Sequence, residues 1–108
     1  MLRTLAIAGM IVLRSSAEST ECAVEDVHYY DKTESGGDPA EVYTLRCADF
    51  MIRNRAEGSR FDPTLRVLFV GGTTESVKLQ TPRIDTGGTH AIDRCFGKIR
   101  VRQLTCTW

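Results

Sequence analysis

LRVLFVGGTTESVKLQ, residues 65–80, is the stretch that does most to decide the fold. Residues 65–70 form a nearly continuous apolar run that follows Pro63 and stops at Gly71. A short run of this kind between turn residues is typical of a strand in the middle of a sheet. Residues 76–80 follow the connection Gly-Gly-Thr-Thr, so the whole stretch predicts a β-hairpin.

Further strands are predicted on both sides of this hairpin. They cover residues 22–30, 42–47, 50–56, 89–93 and 98–105, and glycine or proline turn signals separate them. Residues 40–48 also fit a helical pattern, so this segment stays open between strand and helix. The regular spacing of short strands predicts an all-β fold, a small antiparallel β-sandwich, with a jelly-roll-like or barrel-like arrangement as alternatives.

Alternation along the predicted strands also gives a core. Within residues 98–105, Ile99, Val101 and Gln103 are expected on one side, and the basic residues Lys98, Arg100 and Arg102 on the other. The full predicted core comprises Val27, Leu45, Phe50, Ile52, Leu65, Val67, Phe69, Val77, Leu79, Ile92, Ile99 and Val101. A charge placed at Val67 or Ile99 should therefore unfold the domain.

The start of the chain has the pattern of a secretory signal peptide. Arg3 precedes an apolar run over residues 5–13, and small residues follow up to Ala17. The run is much shorter than the roughly 20 residues that cross a bilayer as a helix, so no membrane span is expected. We predict a signal peptide at residues 1–17 and one exported domain at residues 18–108, periplasmic or extracellular. The alternative, a core helix over residues 1–17, is disfavoured because Arg14 interrupts its apolar face.

Four cysteines lie in the predicted mature domain: Cys22, Cys47, Cys95 and Cys106. Their spacing lacks the close pairs typical of zinc sites, so no metal or other cofactor is expected. An even number in an exported chain predicts two disulfides, for which three pairings exist. We prefer Cys47 with Cys95 and Cys22 with Cys106, because each bond then ties an early segment to a late one.

Charge is distributed unevenly along the chain. Residues 18–52 hold nine acidic and two basic side chains, and residues 53–108 hold five acidic and ten basic ones. Seven cations form a candidate anion-binding set: Arg53, Arg55, Arg66, Lys78, Lys98, Arg100 and Arg102. On one sheet face they would attract an anionic polymer such as acidic polysaccharide. An ordinary solvated face is the preferred interpretation, and the few aromatic residues argue against nucleic acid.

No catalytic group is predicted. The segment His28-Tyr29-Tyr30-Asp31 and the set His90, Asp85 and Asp93 each place an imidazole near a carboxylate, but neither supplies a defined nucleophile or third ligand. We interpret them as exposed strand and loop residues, and the paired glycines as turns rather than phosphate loops. Trp108 is expected to cap the edge of the core, in preference to facing a partner.

Residues 47–103 resemble a group of small exported bacterial proteins that are domains of unknown function. The matching features are Cys47 before a strand, the apolar strand at residues 65–70, the segment Gly-Gly-Thr-His-Ala-Ile-Asp at residues 87–93, and Arg94-Cys95 before the final strand. The resemblance implies an antiparallel β-sandwich and favours a Cys47–Cys95 bridge. It implies no activity.

Three functions remain as hypotheses. The preferred one is an exported, non-enzymatic β-sandwich module that acts by binding or as a structural component. The first alternative is a secreted inhibitor or effector that presents a disulfide-braced loop, at residues 71–74 or 85–89, to a protein target. The second alternative is a binder of anionic polymer through a basic strand face.

Overall fold

The computed structural model describes residues 21–108, so the predicted signal peptide lies outside the described residues. Six strands alternate with turns: β1 (Cys22–Gly36), β2 (Glu41–Asn54), β3 (Thr64–Phe69), β4 (Thr74–Lys78), β5 (Thr89–Cys95) and β6 (Val101–Thr107). They form two antiparallel sheets, in the orders β1-β2-β5 and β4-β3-β6. The all-β prediction is confirmed. The described part of the chain contains no helix long and apolar enough to cross a membrane.

The predicted hairpin of residues 65–80 is present and consists of β3 and β4. β3 lies between β4 and β6, as its continuous apolar run predicts. Gly71 and Gly72 both have positive φ, 106° and 99°, which side chains with a Cβ rarely adopt. β4 begins at Thr74, two residues before the predicted start, because the extended backbone resumes directly after the glycines.

Residues 41–54 form one strand where two were predicted, and the helical alternative for residues 40–48 is wrong. No glycine or proline interrupts this segment. Ala48, Phe50, Ile52 and Asn54 alternate into the interior without a break, so the two-residue period continues through the predicted gap.

The final strand differs from its prediction because of a β-bulge. Phe69 pairs with Val101 and Leu68 pairs with Gln103, which leaves Arg102 as the extra residue. The bulge reverses the expected alternation, so Leu104 is buried and Gln103 is exposed. Ile99 precedes β6 in a bend and is 56% exposed, so its assignment to the core is wrong.

One apolar core joins the two sheets. Six residues of the predicted core are buried: Phe50, Ile52, Leu65, Val67, Phe69 and Leu79. Four more are partly buried and pack against this core: Val27, Val77, Ile92 and Val101. Leu45 is half-buried and its assignment to the core is wrong, because the even-numbered residues of β2 face the interior and Leu45 lies on the opposite face. Trp108 packs against the core, as predicted, and its indole donates a 2.7 Å hydrogen bond to the carbonyl of Glu21.

Asn54 is the fully buried polar side chain of this core. Its amide nitrogen donates to the carbonyls of Gly58 at 2.9 Å and Ile84 at 2.8 Å, and its oxygen accepts from the backbone nitrogen of Ala56 at 2.8 Å. These bonds fold the β2–β3 connection against the β4–β5 connection. They also satisfy the amide, which offsets the cost of burying it.

The preferred disulfide pairing is confirmed. Cys47 and Cys95 are direct partners across β2 and β5, so this bond lies within one sheet. Cys22 and Cys106 join β1 to β6 and therefore link the two sheets.

The β1–β2 hairpin continues past the rest of the molecule. Residues 31–36 of β1 and residues 41–46 of β2 pair with each other, while the strand pairing of β2 with β5 ends at Cys47. This two-stranded extension is here called the arm, and the described residues 21–108 extend over 71 Å in their longest direction. At its base the arm bonds to the β5–β6 connection through the backbone of Arg46, and residues of both line a cavity there.

Candidate ligand-binding site at the base of the arm

The seven cations of the predicted anion-binding set lie in three separate groups. Arg53 and Arg55 lie at the end of the first sheet, Arg66 and Lys78 on the outer face of the second sheet, and Lys98, Arg100 and Arg102 around the start of β6. The structure therefore does not bring all seven onto one face. Arg100 of the third group borders the cavity at the base of the arm, and Lys78 of the second group borders a separate cavity together with Leu79 and Ile92.

Arg53 and Arg55 both bind Glu25. The Nε of Arg53 lies 2.8 Å from one carboxylate oxygen, and Nη2 of Arg55 lies 3.0 Å from the other. The hydrogen bond from Arg53 is the main reason that the pKa of Glu25 lies below its ordinary value. Arg53 also donates to the carbonyl of Gly87. These two arginines are engaged within the protein.

The cavity at the base of the arm has a volume of about 290 Å³. It is lined by Tyr29, Tyr30, Asp31, Arg46, Cys47, Arg100 and Val101. The strand register explains the composition, because Tyr29 pairs with Ala48 and Asp31 pairs with Arg46. Tyr29, Asp31 and Arg46 share the face of the first sheet that carries the core, whereas Tyr30 and Cys47 belong to its opposite face.

Arg46 is held in place by its neighbours. Its Nη1 donates to Asp31 at 2.7 Å and its Nε donates to the carbonyl of Lys98 at 3.3 Å. Its backbone is fixed as well, since its nitrogen bonds to Gly97 and its carbonyl accepts from Phe96. A guanidinium has five N–H donors, so this rigid group keeps donors for a ligand.

Arg100 and Tyr29 complete the cavity. The carbonyl of Arg100 accepts a 2.9 Å hydrogen bond from Val70, whereas its guanidinium forms no ion pair among residues 21–108. Tyr29 is 50% exposed, and partial burial raises its pKa above the ordinary tyrosine value. The cavity thus combines an accessible aromatic ring, a fixed arginine and a free one.

A second polar group lies on the outer face of the same sheet. His28, Asp49 and Asp93 occupy one row across β1, β2 and β5. His28 Nδ1 lies 3.2 Å from Asp49, and the hydroxyl of Tyr30 donates to Asp93. Within residues 21–108, no group of three or more His, Cys, Asp or Glu side chains is arranged to hold a metal ion.

The structure does not bring together either of the two histidine–carboxylate groups considered in the sequence analysis. His28 and Asp31 point to opposite faces of β1, since they are three residues apart on a strand without a register shift between them. Asp85 accepts from Ser59, and Asp93 accepts from Tyr30. His28 is exposed, as expected, whereas His90 is half-buried and pairs with the buried Ile52.

Asp93→Asn is expected to lower the pKa of Tyr30. That pKa lies above its ordinary value of 10.0, first because Tyr30 donates to Asp93, and further because of burial and the charges of Asp93 and Asp49. A group whose pKa is raised in the folded state contributes stability at pH values below its ordinary pKa. This stability is lost as the pH rises through the pKa of the folded state. The loss of stability as pH rises above the ordinary tyrosine value should therefore be smaller in the variant.

An NMR titration that resolves the three tyrosine rings measures this change. Asp38→Asn, which removes a carboxylate at the tip of the arm, is the matched control and should leave Tyr30 unchanged. An unaltered Tyr30 titration in Asp93→Asn would contradict the assignment.

The two loops of the inhibitor hypothesis differ in how firmly they are held. Residues 85–89 are tied to residues 56–59, because Gly58 donates to the hydroxyl of Thr86 and that hydroxyl donates to the carbonyl of Ala56. At Gly88, a Cβ atom would lie 3.0 Å from the carbonyl of Asp85. At Gly71 and Gly72, a Cβ would meet nothing within 4 Å. Neither loop contains a disulfide cysteine.

Sequence reasoning did not select Tyr29, Asp31 and Arg46 as parts of one site. The predicted Cys47–Cys95 bond could have indicated the face on which Arg46 lies. A disulfide between directly opposite strand residues places Cys47 on one face of β2, so Arg46 must lie on the other. Comparison with protein-family models, with curated proteins and with solved structures found no match for this chain, so the site is interpreted from its own geometry.

Proposed function

We propose that this protein is an exported, non-enzymatic binding module that takes an anionic ligand in the cavity at the base of the arm. The observation that carries the proposal is the accessible Tyr29 ring beside Arg100, a guanidinium without an ion pair in the described part of the chain. An arginine of this kind can bind a carboxylate or sulfate through two parallel hydrogen bonds.

Export is supported by the oxidation state of the cysteines. All four form disulfides, and such bonds persist in oxidising compartments. The same pairing leaves no free thiol as a nucleophile, which supports a role in binding rather than in catalysis.

The ligand that fits this chemistry is an acidic sugar unit. The cavity volume is close to the lower end of the range for small-molecule sites, about 300 Å³, so it suits a single ring. Tyr29 offers a flat apolar surface for the ring, Arg100 and the remaining donors of Arg46 suit its anionic group, and Asp31 can accept from its hydroxyls. An exported protein would meet such units in polysaccharides.

Binding to polygalacturonate, dextran sulfate and neutral dextran tests the proposal by isothermal titration calorimetry. We expect binding to an anionic polymer but not to neutral dextran, and weakening with added salt. Arg100→Gln should raise the dissociation constant about tenfold, because hydrogen bonds to a charged group contribute about 1.5–3 kcal/mol. Tyr29→Ala should also weaken binding, through loss of the ring contact.

Arg66→Gln is the matched control, because it removes the same charge from the outer face of the other sheet. It should leave the affinity within about twofold, as expected for an exposed charge away from the site. Equal losses in Arg66→Gln and Arg100→Gln would indicate attraction by overall charge and would contradict a built site. Absence of binding to both anionic polymers would reject this ligand class.

A further inference from the structure

One edge of the arm has free backbone hydrogen-bonding groups. In β2 the backbone of Arg46 bonds to Phe96 and Gly97, and that of Asn54 bonds to Gly87 and Gly88, so even-numbered residues face away from β1. The pairing with β1 runs without a register shift from Glu41 to Asp49. By the alternation of an antiparallel ladder, the N–H and C=O groups of Val42 and Thr44 face the same way. The described chain offers them no backbone partner.

This edge lacks the usual protection of an exposed strand. Residues 42–45 are Val, Tyr, Thr and Leu, all uncharged and favourable in strands, and Val42 is 75% exposed. Native proteins normally block such edges with charge, proline or a bulge. The β1 edge of the arm carries such charge, at Asp31, Lys32 and Glu34, and the register shift of β1 between Glu25 and His28 lies before the arm begins.

Charge changes sign along the β2 edge. Its outer end carries Asp38 and Glu41, both exposed. At its inner end Lys98 lies over the ring of Tyr43, 5.0 Å from the ring centre, and Arg100 follows. Two copies of this edge, placed antiparallel, bring the acidic end of each against the basic end of the other.

We infer that β2 pairs with β2 of a second copy of this chain, antiparallel and around a two-fold axis. Val42 and Thr44 of each copy then exchange backbone hydrogen bonds with those of the other, and Glu41 of one copy approaches Lys98 of the second. The two arms become one four-stranded sheet in the order β1-β2-β2-β1. An isolated two-stranded ribbon is only marginally stable in water, and this arrangement adds two further strands to it. A two-fold interface is also the commonest form of self-association. The inference is independent of the proposed ligand.

Thr33 and Thr44 provide a matched pair of variants, since they are direct partners on opposite strands of the arm. The N–H of each points outward, to the β1 edge and the β2 edge respectively, so Thr33→Pro and Thr44→Pro each remove one outward donor. Sedimentation equilibrium of the disulfide-bonded protein should show a dimer. Thr44→Pro should raise its dissociation constant about tenfold or more, while Thr33→Pro should not.

A charge exchange provides the second test, and it does not depend on proline. Glu41→Lys and Lys98→Glu should each weaken the dimer, and the double variant should restore it. This test decides the matter if circular dichroism shows that Thr44→Pro fails to fold. Three outcomes would overturn the inference: a monomer at concentrations up to about 1 mM, a dimer as sensitive to Thr33→Pro as to Thr44→Pro, or a double charge variant as weak as the single ones.

Discussion

Replacing Cys22 and Cys106 together with alanine is expected to leave the domain unfolded at about 37 °C. This bond closes a loop with a sequence separation of 84, for which the chain-entropy relation gives about 4.5 kcal/mol of stabilisation. Single domains of this size are stable by only about 5–15 kcal/mol in total. Both cysteines are also buried in the core, so the substitution removes sulfur packing between the sheets as well.

Thermal unfolding followed by circular dichroism measures this effect. The double variant Cys47→Ala/Cys95→Ala is the control, because it removes a disulfide within one sheet and keeps the link between the sheets. It should remain folded at about 25 °C with a lower midpoint, since its loop is shorter and gives about 4 kcal/mol. A midpoint for Cys22→Ala/Cys106→Ala that equals or exceeds the control would contradict the assigned role.

Val67→Asp should abolish folding, whereas Ile99→Asp should be tolerated. Val67 is completely buried at the centre of β3, opposite Glu75 and Leu104. A carboxylate there has no cationic partner, and burial of an unpaired charge costs several kcal/mol. Ile99 is mostly exposed, so the same change should alter the free energy of unfolding by no more than about 0.5 kcal/mol.

Urea unfolding of the two variants compares them directly. Val67→Ala serves as the intermediate, because it removes apolar contacts without adding charge and should cost about 1–3 kcal/mol. An Ile99→Asp protein as unstable as Val67→Ala would mean that Ile99 belongs to the core after all.

The sequence was most informative where local pattern and burial coincide. In residues 65–70 the alternate side chains Leu65, Val67 and Phe69 are buried in the core, and the strand that they form lies in the middle of its sheet. The sequence was misleading at residues 98–105. Alternation assumes a regular strand, and the bulge at Arg102 depends on pairing with β3, which is remote in sequence.

The candidate site was harder to predict than the fold. Arg100 was selected by charge alone, in a set whose other members lie on two different sheets. Its neighbours Tyr29 and Arg46 come from β1 and β2, so their proximity depends on strand register and on where the second sheet ends. The local periodicity of the sequence predicts neither the strand register nor the position where the second sheet ends.

The bond between Cys22 and Cys106 also determines how the domain carries mechanical load. Tension applied at Glu21 and Trp108 passes from one to the other through a single covalent sulfur bridge, and the strands between them bear none of it. Pulling on these two points can therefore extend the protein only by the few residues outside the bridge. Intact, the domain would behave as an almost inextensible link, and reduction of that bridge alone would release only residues 22–47 and 95–106, because the Cys47–Cys95 bond still closes the chain between them.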